Sequence, residues 1–393
     1  MTDSAKQFPL VTVAVVSYEQ ENELYGCLDS VLMQDYPNLE LLLCDDGSRS
    51  FDSAKIREYV DARRKTNLRN FGLYHRSENG GTVLNCNAAV SNASGEIIKI
   101  LAADDRLYAA DTISLIAAQF REHPALILAG RGRCYLRDGT HTEQYYPTGN
   151  EILLMKEAGP DEMLRLLCTR PWSCILAPAA AFRKDVFSET GLFDTSYRYL
   201  EDWPFWIKAC AMGIPIHICE QVFVWYRFGG VSSLQEKSGA AAAVQRTFLQ
   251  ECRQVLTREG IPRMKSAGGP WRVLQCRLSI DILHMREVRA LDWAGWPRFR
   301  RLRYLSAHLP ALLYQKILGA IGNSKYLPWK FTLPFLLAGC LLTAIWAASG
   351  PGVWKSLCGG AAIVCGAAAA GYSLANGILW AANYCLRLKH AAK

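Results

Sequence analysis

VTVAVVSYEQENELYGCLDSVLMQDYPNLELLLCDD, residues 11–46, contains two short aliphatic runs, 11–16 and 39–44, on either side of a segment of helical length. Apolar side chains recur at helical spacing in that segment. They are Leu24, Cys27, Leu28, Val31 and Leu32. A third aliphatic run, 97–101, follows another helix-like segment. The alternation predicts an α/β fold in which successive strands lie in a mostly parallel sheet.

Acidic turns follow two of these predicted strands. The sequence DDGS occupies residues 45–48 after the second run, and ADD occupies residues 103–105 after the third. Because parallel sheets bind ligands at the carboxyl ends of their strands, we expect the two turns to lie at one edge of the sheet and to form part of a site.

Composition and charge narrow the class of protein. The 393 residues are 50% apolar and 20% charged, which excludes a disordered chain and a disulfide miniprotein. Residues 1–240 carry 24 Lys and Arg against 31 Asp and Glu, whereas residues 241–393 carry 20 against 5. This division excludes a uniform nucleic-acid binder and suits a catalytic domain followed by a segment that faces anionic lipid.

The 14 cysteines form no CxxC pair, so we expect them in the core rather than in a zinc site.

The basic half of the chain indicates attachment to a membrane. Residues 239–326 are helical in pattern and carry clustered arginines, which predicts a connector at the membrane surface. Two uncharged stretches, about 331–349 and 356–386, are long enough to cross a bilayer as a hairpin, although buried helices of a soluble core remain an alternative. Positive residues flank both outer ends of the hairpin, and no secretory signal precedes residue 11. We therefore expect a multi-pass protein of the inner (plasma) membrane with its catalytic domain, residues 1–238, in the cytoplasm and its hairpin within residues 327–393.

Seven short motifs, in order, resemble those of family 2 glycosyltransferases of the GT-A fold. They are VAVVSY at 13–18, CLDSVLMQDYP at 27–37, DDGS at 45–48, RSENG at 76–80, ADD at 103–105, GLFD at 191–194 and EDW at 201–203. The resemblance implies a Rossmann-like catalytic domain that binds a nucleotide-sugar donor.

The resemblance also implies which residues bind the nucleotide. Asp46, or its neighbour Asp45, would accept the N–H of the base, and Arg76 would lie near the base or the phosphates. The pocket would be lined by Ser17, Tyr18 and Glu19.

A divalent metal, Mg²⁺ or Mn²⁺, is a further implication of the resemblance, with Asp104 as its ligand. Ala102 stands where many members of the family have a first carboxylate, so one carboxylate of that motif is missing. Asp105 is expected to support the turn or to cap the next helix. Arg227 is expected to neutralise the donor phosphates.

Asp202 matches the family's catalytic base, with Glu201 as the second candidate. An inverting transfer needs a carboxylate close to the acceptor hydroxyl, on the face opposite the leaving group. Trp203 and Trp206 are candidates either for stacking on an acceptor sugar or for core packing.

The function that follows is an inverting glycosyltransferase of polysaccharide biosynthesis. We expect it to move one sugar, from a UDP-sugar, to a lipid-linked or nascent-glycan acceptor at the cytoplasmic membrane face. A polyprenyl-phosphate monoglycosyltransferase and a non-catalytic membrane scaffold of the same fold remain alternatives. The expected partners are the donor, the acceptor and membrane lipid, without nucleic acid.

Overall fold

The computed structural model describes residues 8–136, 138–228, 239–267, 269–291 and 295–322. The chain divides into two compact units, Met1–Gln315 and Lys316–Lys393. Among the described residues, no helix combines the length and the apolar character needed to cross a membrane. The two stretches predicted to form a hairpin lie outside the described residues, so the hairpin stays a prediction.

Nine strands within the described residues form one sheet. In chain order they are β1 (Val11–Ser17), β2 (Leu39–Asp45), β3 (Leu68–His75), β4 (Ile97–Ala102), β5 (Arg106–Leu107), β6 (Ile127–Tyr135), β7 (His141–Tyr146), β8 (Ala180–Arg183) and β9 (Ile216–Arg227). Across the sheet the order is β3-β2-β1-β4-β8-β6-β9-β5, and β7 pairs with β6.

The sheet is mixed: its longest pairings are parallel, including that of β9 with β6, and its shorter ones are antiparallel. β3, β2, β1 and β4 are parallel, as predicted. β8 is antiparallel to β4 and β6, and β5 is antiparallel to β9. β7 is antiparallel to β6 because the few residues between them can form a hairpin but not the long crossover of a parallel pair.

Helices alternate with the strands along the chain, and further helices follow the last strand. They are α1 (Glu21–Leu32), α2 (Ser53–Asp61), α3 (Thr82–Asn92), α4 (Thr112–Glu122), α5 (Gly149–Lys156), α6 (Pro160–Thr169), α7 (Val186–Thr190), α8 (Asp202–Ala211), α9 (Gly239–Val255), α10 (Ile261–Ala267), α11 (Gly269–Leu291), α12 (Arg298–Ala307) and α13 (Leu309–Gly322). A 3₁₀ turn occupies Ala177–Ala179, and a π-helical turn, Leu256–Gly260, joins α9 to α10.

Two apolar cores lie on the two faces of the sheet. Val13 and Val15 of β1 pack into one core, while Ala14 between them packs into the other, because successive side chains of a strand point to opposite faces. The ten cysteines of the described residues are all free and buried, as expected for small core side chains.

Helices α9 to α11, which we expected to act as a connector, pack into the core of the α/β domain. Cys252, Leu256 and Leu283 are buried in the same cluster as residues of α6 and α8. In contrast, α12 buries none of its side chains and exposes Phe299 and Leu302, which are 71% and 68% accessible. The basic segment therefore combines helices that complete the α/β domain with one that projects apolar and basic side chains into solvent.

Candidate active site

Asp45 lies at the carboxyl end of β2 in a dense hydrogen-bonding environment. Its Oδ1 accepts from the Ser48 amide at 2.8 Å and lies 2.9 Å from His75 Nδ1, while its Oδ2 accepts from Ser48 Oγ at 2.6 Å. Asp45 is 1% exposed. The carboxylate is thus fixed in position by the turn that follows it and by the end of β3.

A cavity of about 200 Å³ opens beside Asp45. Ser17, Phe51 and Lys55 are among the residues that line it. The Phe51 ring stacks on His75 with a centroid distance of 4.5 Å and an interplanar angle of 4°. The cavity therefore combines a carboxylate, an aromatic wall and a cation at the carboxyl ends of β1 and β2.

Asp46 faces a different set of partners. Its two carboxylate oxygens accept from the amides of Gly80 and Gly81 at 2.9 and 2.7 Å, and Arg76 Nε lies 3.2 Å from Oδ1. Gly81 has a φ of 95°, which favours glycine, and a Cβ there would meet Arg198. Asp46 therefore holds the loop that leads into α3, and of the two neighbouring aspartates it is Asp45 that lines the cavity.

Replacing Asp46 with Ala should lower the free energy of unfolding by about 3 kcal/mol, because the amides of Gly80 and Gly81 and a guanidinium would lose a charged acceptor. Urea denaturation of the full-length wild type and of the variant, both in the same detergent, measures this change. Asp52→Ala, which removes the exposed cap of α2, is the matched control and should cost about 1 kcal/mol. A loss for Asp46→Ala no larger than that of the control would contradict the role assigned to Asp46.

Ser17 is the last residue of β1, and Tyr18 and Glu19 form the turn that follows it. Glu19 has a φ of 52°, a left-handed conformation that side chains rarely adopt and that is often found at functional sites. Its amide donates to Ser48 Oγ at 2.7 Å, which links this turn to Asp45. The Glu19 carboxylate pairs with Arg49 in solvent, and this pairing lowers the pKa of Glu19. Tyr18 is exposed, so of the three predicted residues Ser17 is the one that lines the cavity.

Arg227, at the end of β9, lies between two carboxylates. Its Nη2 is 2.8 Å from Glu23 Oε1, and its Nη1 is 3.5 Å from Asp104 Oδ2. The Arg227 amide donates to Asp105 Oδ1 at 2.8 Å. The structure thus brings together Asp104 and Arg227, two of the predicted site residues, and adds Glu23 of α1, which no sequence motif indicated.

Asp104 and Asp105 differ in accessibility. Asp105 is 2% exposed, and burial together with the charge of Asp104 raises its pKa well above the ordinary value. Burial also raises the pKa of Asp104, an effect that the nearby Arg227 opposes. The Asp104 side chain retains 16% exposure. Asp104 can therefore reach a ligand, whereas Asp105 supports the backbone of Arg227.

The residues around Asp104 fit a divalent cation that is bound together with a diphosphate. Mg²⁺ is commonly held by one or two carboxylates and by substrate phosphates. Asp104 and Glu23 supply two carboxylates on either side of Arg227. Within the described ranges, no group of three or more His, Cys, Asp or Glu side chains is placed to bind a metal. The oxygens of a donor would therefore have to complete the coordination.

Glu201 and Asp202 form an acidic pair where α8 begins. Burial raises the pKa of Glu201 to about 8, with a further increase from the charge of Asp202. Burial raises the pKa of Asp202 to about 6, although the amide of Trp203 acts in the opposite direction. The pKa of Glu201 is raised further than that of Asp202, so Asp202 is the carboxyl of the pair that ionises first as the pH rises.

A chain of contacts connects the acidic pair to the Asp46 loop. The Val83 amide donates to the Arg198 carbonyl at 3.2 Å, and Arg198 Nη2 donates to the Asn79 carbonyl at 3.0 Å. Glu251 of α9 accepts from the amides of Arg198 and Tyr199 at 2.7 and 2.9 Å. The segment that precedes Glu201 is therefore held against the loop that follows β3, at the edge of the sheet where Asp45 lies.

Trp203 and Trp206 are core residues, which settles one of the alternatives left open by the sequence. Both are almost fully buried, and Trp203 Nε1 donates to the Leu167 carbonyl at 3.0 Å. Neither ring is available to an acceptor sugar. The half-buried Trp172, which precedes Ser173 near Asp202, is an aromatic side chain that the sequence did not single out.

Comparison with known proteins identifies the family. Residues 12–191 match the model of glycosyl transferase family 2. A PGL/p-HBAD biosynthesis glycosyltransferase of Mycobacterium bovis is 28% identical over 229 residues, which cover 57% of this chain and 80% of that protein. Glycosyltransferase GlyA of Streptococcus pneumoniae is 29% identical over 120 residues, 30% of this chain and 16% of its own.

Among solved structures, residues 1–349 of S. aureus TarS in complex with UDP-GlcNAc match at 18% identity with a TM-score of 0.45. The match covers 80% of this chain and 92% of the TarS chain. The family match over residues 12–191 and the related glycosyltransferases, together with the α/β domain described above, identify this part of the chain as a family 2 glycosyltransferase domain of the GT-A fold.

Proposed function

We propose that the protein transfers one sugar from a UDP-sugar to a lipid-linked or nascent-glycan acceptor, with inversion, at the cytoplasmic face of the inner membrane. The observation that carries this proposal is the placement of Asp202. The segment that leads to Asp202 is held at the edge of the sheet where Asp45 lies, because the Arg198 carbonyl accepts from the Val83 amide and the nearby Gly81 amide donates to Asp46. Burial raises the pKa of the Asp202 carboxyl, as suits a proton acceptor. A proton acceptor and a donor cavity at one edge are what an inverting transfer requires.

The donor nucleotide would occupy the cavity beside Asp45. Uracil carries a single N–H, which suits one fixed carboxylate, and Phe51 provides an aromatic wall for the base. Lys55 in the same cavity and Arg227 beside Asp104 are cations available to the diphosphate. Asp104, with Glu23 nearby, would hold the metal, which neutralises the charge that develops on the leaving diphosphate.

Asp202 would act on the acceptor. The carboxylate takes the proton of the acceptor hydroxyl as that oxygen attacks the anomeric carbon, and the bond to the diphosphate breaks on the opposite face. Glu201 keeps its proton to a higher pH than Asp202 does, because its pKa is raised further. The step therefore needs one ionised carboxylate, and the pair supplies one.

The proposed acceptor side faces the membrane. The helix Arg298–Ala307 exposes Phe299 and Leu302 among four arginines, a combination that suits the interface of an anionic bilayer. The mycobacterial relatives are named for PGL/p-HBAD biosynthesis, and we extend to this chain only the reaction class. A lipid-linked acceptor would then lie where the site can reach it.

A non-catalytic scaffold is the second candidate, and the observation that favours it is Ala102. This residue ends β4 without the carboxylate that many family members have there. The presence of Glu23 beside Arg227 argues against complete loss of activity, because it restores a second carboxylate near Asp104.

The test is to incubate the full chain with UDP-sugars, Mn²⁺ and a lipid-linked glycan extract, and to follow the extract by mass spectrometry. The proposal predicts that one acceptor gains the mass of one sugar. Asp202→Asn is the matched control and should leave the extract nearly unchanged. An unchanged extract together with no binding of any UDP-sugar would contradict the proposal and favour the scaffold.

Membrane topology gives a separate prediction, because both outer ends of the proposed hairpin should be cytoplasmic. A cysteine introduced at Gly352, with Cys340 and Cys358 replaced, should react with an impermeant thiol reagent added to intact cells. A tag after Lys393 should resist added protease under the same conditions. Loss of that tag in intact cells would contradict the hairpin.

A further inference from the structure

Arg286 extends from helix Gly269–Leu291 to a short segment next to the acidic pair. Its Nη1 donates to the Pro171 carbonyl at 3.2 Å, and its guanidinium carbon lies 5.6 Å from the centroid of the Trp172 ring. Both Arg286 and Trp172 are half-buried. The guanidinium is thus held by a carbonyl and an aromatic ring at a place that solvent, or a ligand, still reaches.

Arg286 has no carboxylate partner within the described part of the chain. Other arginines of the site do have one, since Arg227 pairs with Glu23 and Arg76 pairs with Asp46. Burial lowers the pKa of Arg286, which means that its charge is partly desolvated without a compensating anion. A desolvated cation of this kind favours the arrival of an oxyanion.

The segment that Arg286 contacts runs next to Asp202, the proposed base. Ser173, the next residue after Trp172, interacts through its side chain with Asp202 and lowers the pKa of that carboxyl. The buried thiol of Cys252 is near both groups: burial raises its pKa, the charge of Asp202 raises it further, and that of Arg286 lowers it. The segment that Arg286 contacts through Pro171 and Trp172 therefore leads directly to Ser173 and Asp202.

The segment that holds Arg286 is itself rigidly supported. The Thr169 carbonyl accepts from Ser279 Oγ and from the Tyr314 hydroxyl, each at 2.7 Å. The Tyr146 hydroxyl donates to the Ser173 carbonyl. Support from three elements keeps the geometry around Trp172 fixed before a ligand binds, as a specific binding site requires.

We propose that Arg286 and Trp172 form a subsite for an oxyanion of the acceptor, a phosphate ester, beside the base Asp202. The guanidinium would pair with two phosphate oxygens, and the ring would contact the group that the phosphate carries. The inference rests on the proposed function, because it assigns the anion to the acceptor. A carboxylate of an acidic sugar offers the same chemistry, so the experiment includes both sources.

The experiment is calorimetry on the full chain in detergent with saturating UDP and Mn²⁺, which keep the donor cavity filled. The probes are geranyl phosphate, uncharged geraniol and glucuronic acid. We expect geranyl phosphate to bind and Arg286→Met to weaken that binding about ten-fold or more, the usual scale for a lost charge-assisted hydrogen bond. Arg286→Lys should lose less, and Trp172→Ala should also weaken binding.

Arg277→Met is the matched control, because it removes one exposed arginine from the same helix and should change binding less than two-fold. Equal binding of geranyl phosphate by the Arg286→Met and Arg277→Met variants would overturn the subsite, as would geraniol binding as tightly as its phosphate. Glucuronic acid binding that depends on Arg286 would support an oxyanion subsite and assign it to a carboxylate. Failure of UDP to bind would count against the proposed function, whereas a probe that binds through Arg286 would still support the subsite.

Discussion

Asp202→Asn is expected to lower the rate of sugar transfer by a factor of about 10² or more, the usual scale for loss of a general base. The amide keeps the size of the side chain but cannot accept the proton. Donor and metal binding should survive, because Asp45 and Asp104 do not depend on this group. The measurement is the initial rate of transfer, together with the donor Kd from calorimetry.

Glu201→Gln is the matched control for that variant. The raised pKa of Glu201 favours its protonated form, which a neutral amide of the same shape resembles. Its rate should stay within about ten-fold of the wild type. A Glu201 variant that loses more activity than the Asp202 variant would contradict the assignment of the base.

The same pair predicts the direction of the pH dependence. A base acts in its ionised form, so kcat should rise with pH through about 6, the raised pKa of Asp202. Glu201→Gln should leave this acid limb in place, because Asp202 ionises while Glu201 still carries its proton. If the rise of kcat with pH disappears in the Glu201→Gln variant, the group that titrates is Glu201 and not Asp202.

The second large effect concerns Asp104. Asp104→Asn should abolish the enhancement of UDP binding by Mn²⁺, because an amide is a poor ligand for a hard cation compared with a carboxylate. Calorimetric titration of UDP with and without Mn²⁺ measures the enhancement directly. Glu23→Gln should reduce it less, since Glu23 pairs more closely with Arg227 than Asp104 does.

Asp105→Asn is the control for Asp104. Asp105 is buried and accepts the amide of Arg227, and Asn retains an acceptor oxygen of the same reach. The Mn²⁺ enhancement should therefore persist, with some loss of stability. Equal loss of the enhancement in the Asp104 and Asp105 variants would mean that the metal ligand is misassigned.

The first half of the fold could be predicted from the sequence, because its signal is local. The strands Val11–Ser17 and Leu39–Asp45 are buried throughout or nearly so, and they appear as unbroken aliphatic runs. The strand Leu68–His75 lies at an edge with exposed side chains, and its mixed composition gave no such run. The antiparallel pairing of Ala180–Arg183 with two neighbours depends on contacts distant in sequence, which no local pattern encodes.

Contacts between residues distant in sequence also limit what could be predicted about the candidate site. The acidic turns place Asp45 and Asp104 at the ends of strands, which a pattern can indicate. Whether Asp45 or Asp46 faces the cavity depends on the amides of Gly80 and Gly81, which come from a distant loop. Glu23 and Arg286 carry no motif, because each acquires its place through the packing of a helix against another element.

The most direct test of the central claim, a single displacement assisted by Asp202, is the anomeric configuration of the product. NMR of the transferred sugar, collected early in the reaction with a donor of known configuration, determines it. A single displacement predicts inversion, because the acceptor attacks the face opposite the departing diphosphate. A product that retains the configuration of the donor would contradict the mechanism and the role of Asp202 in it.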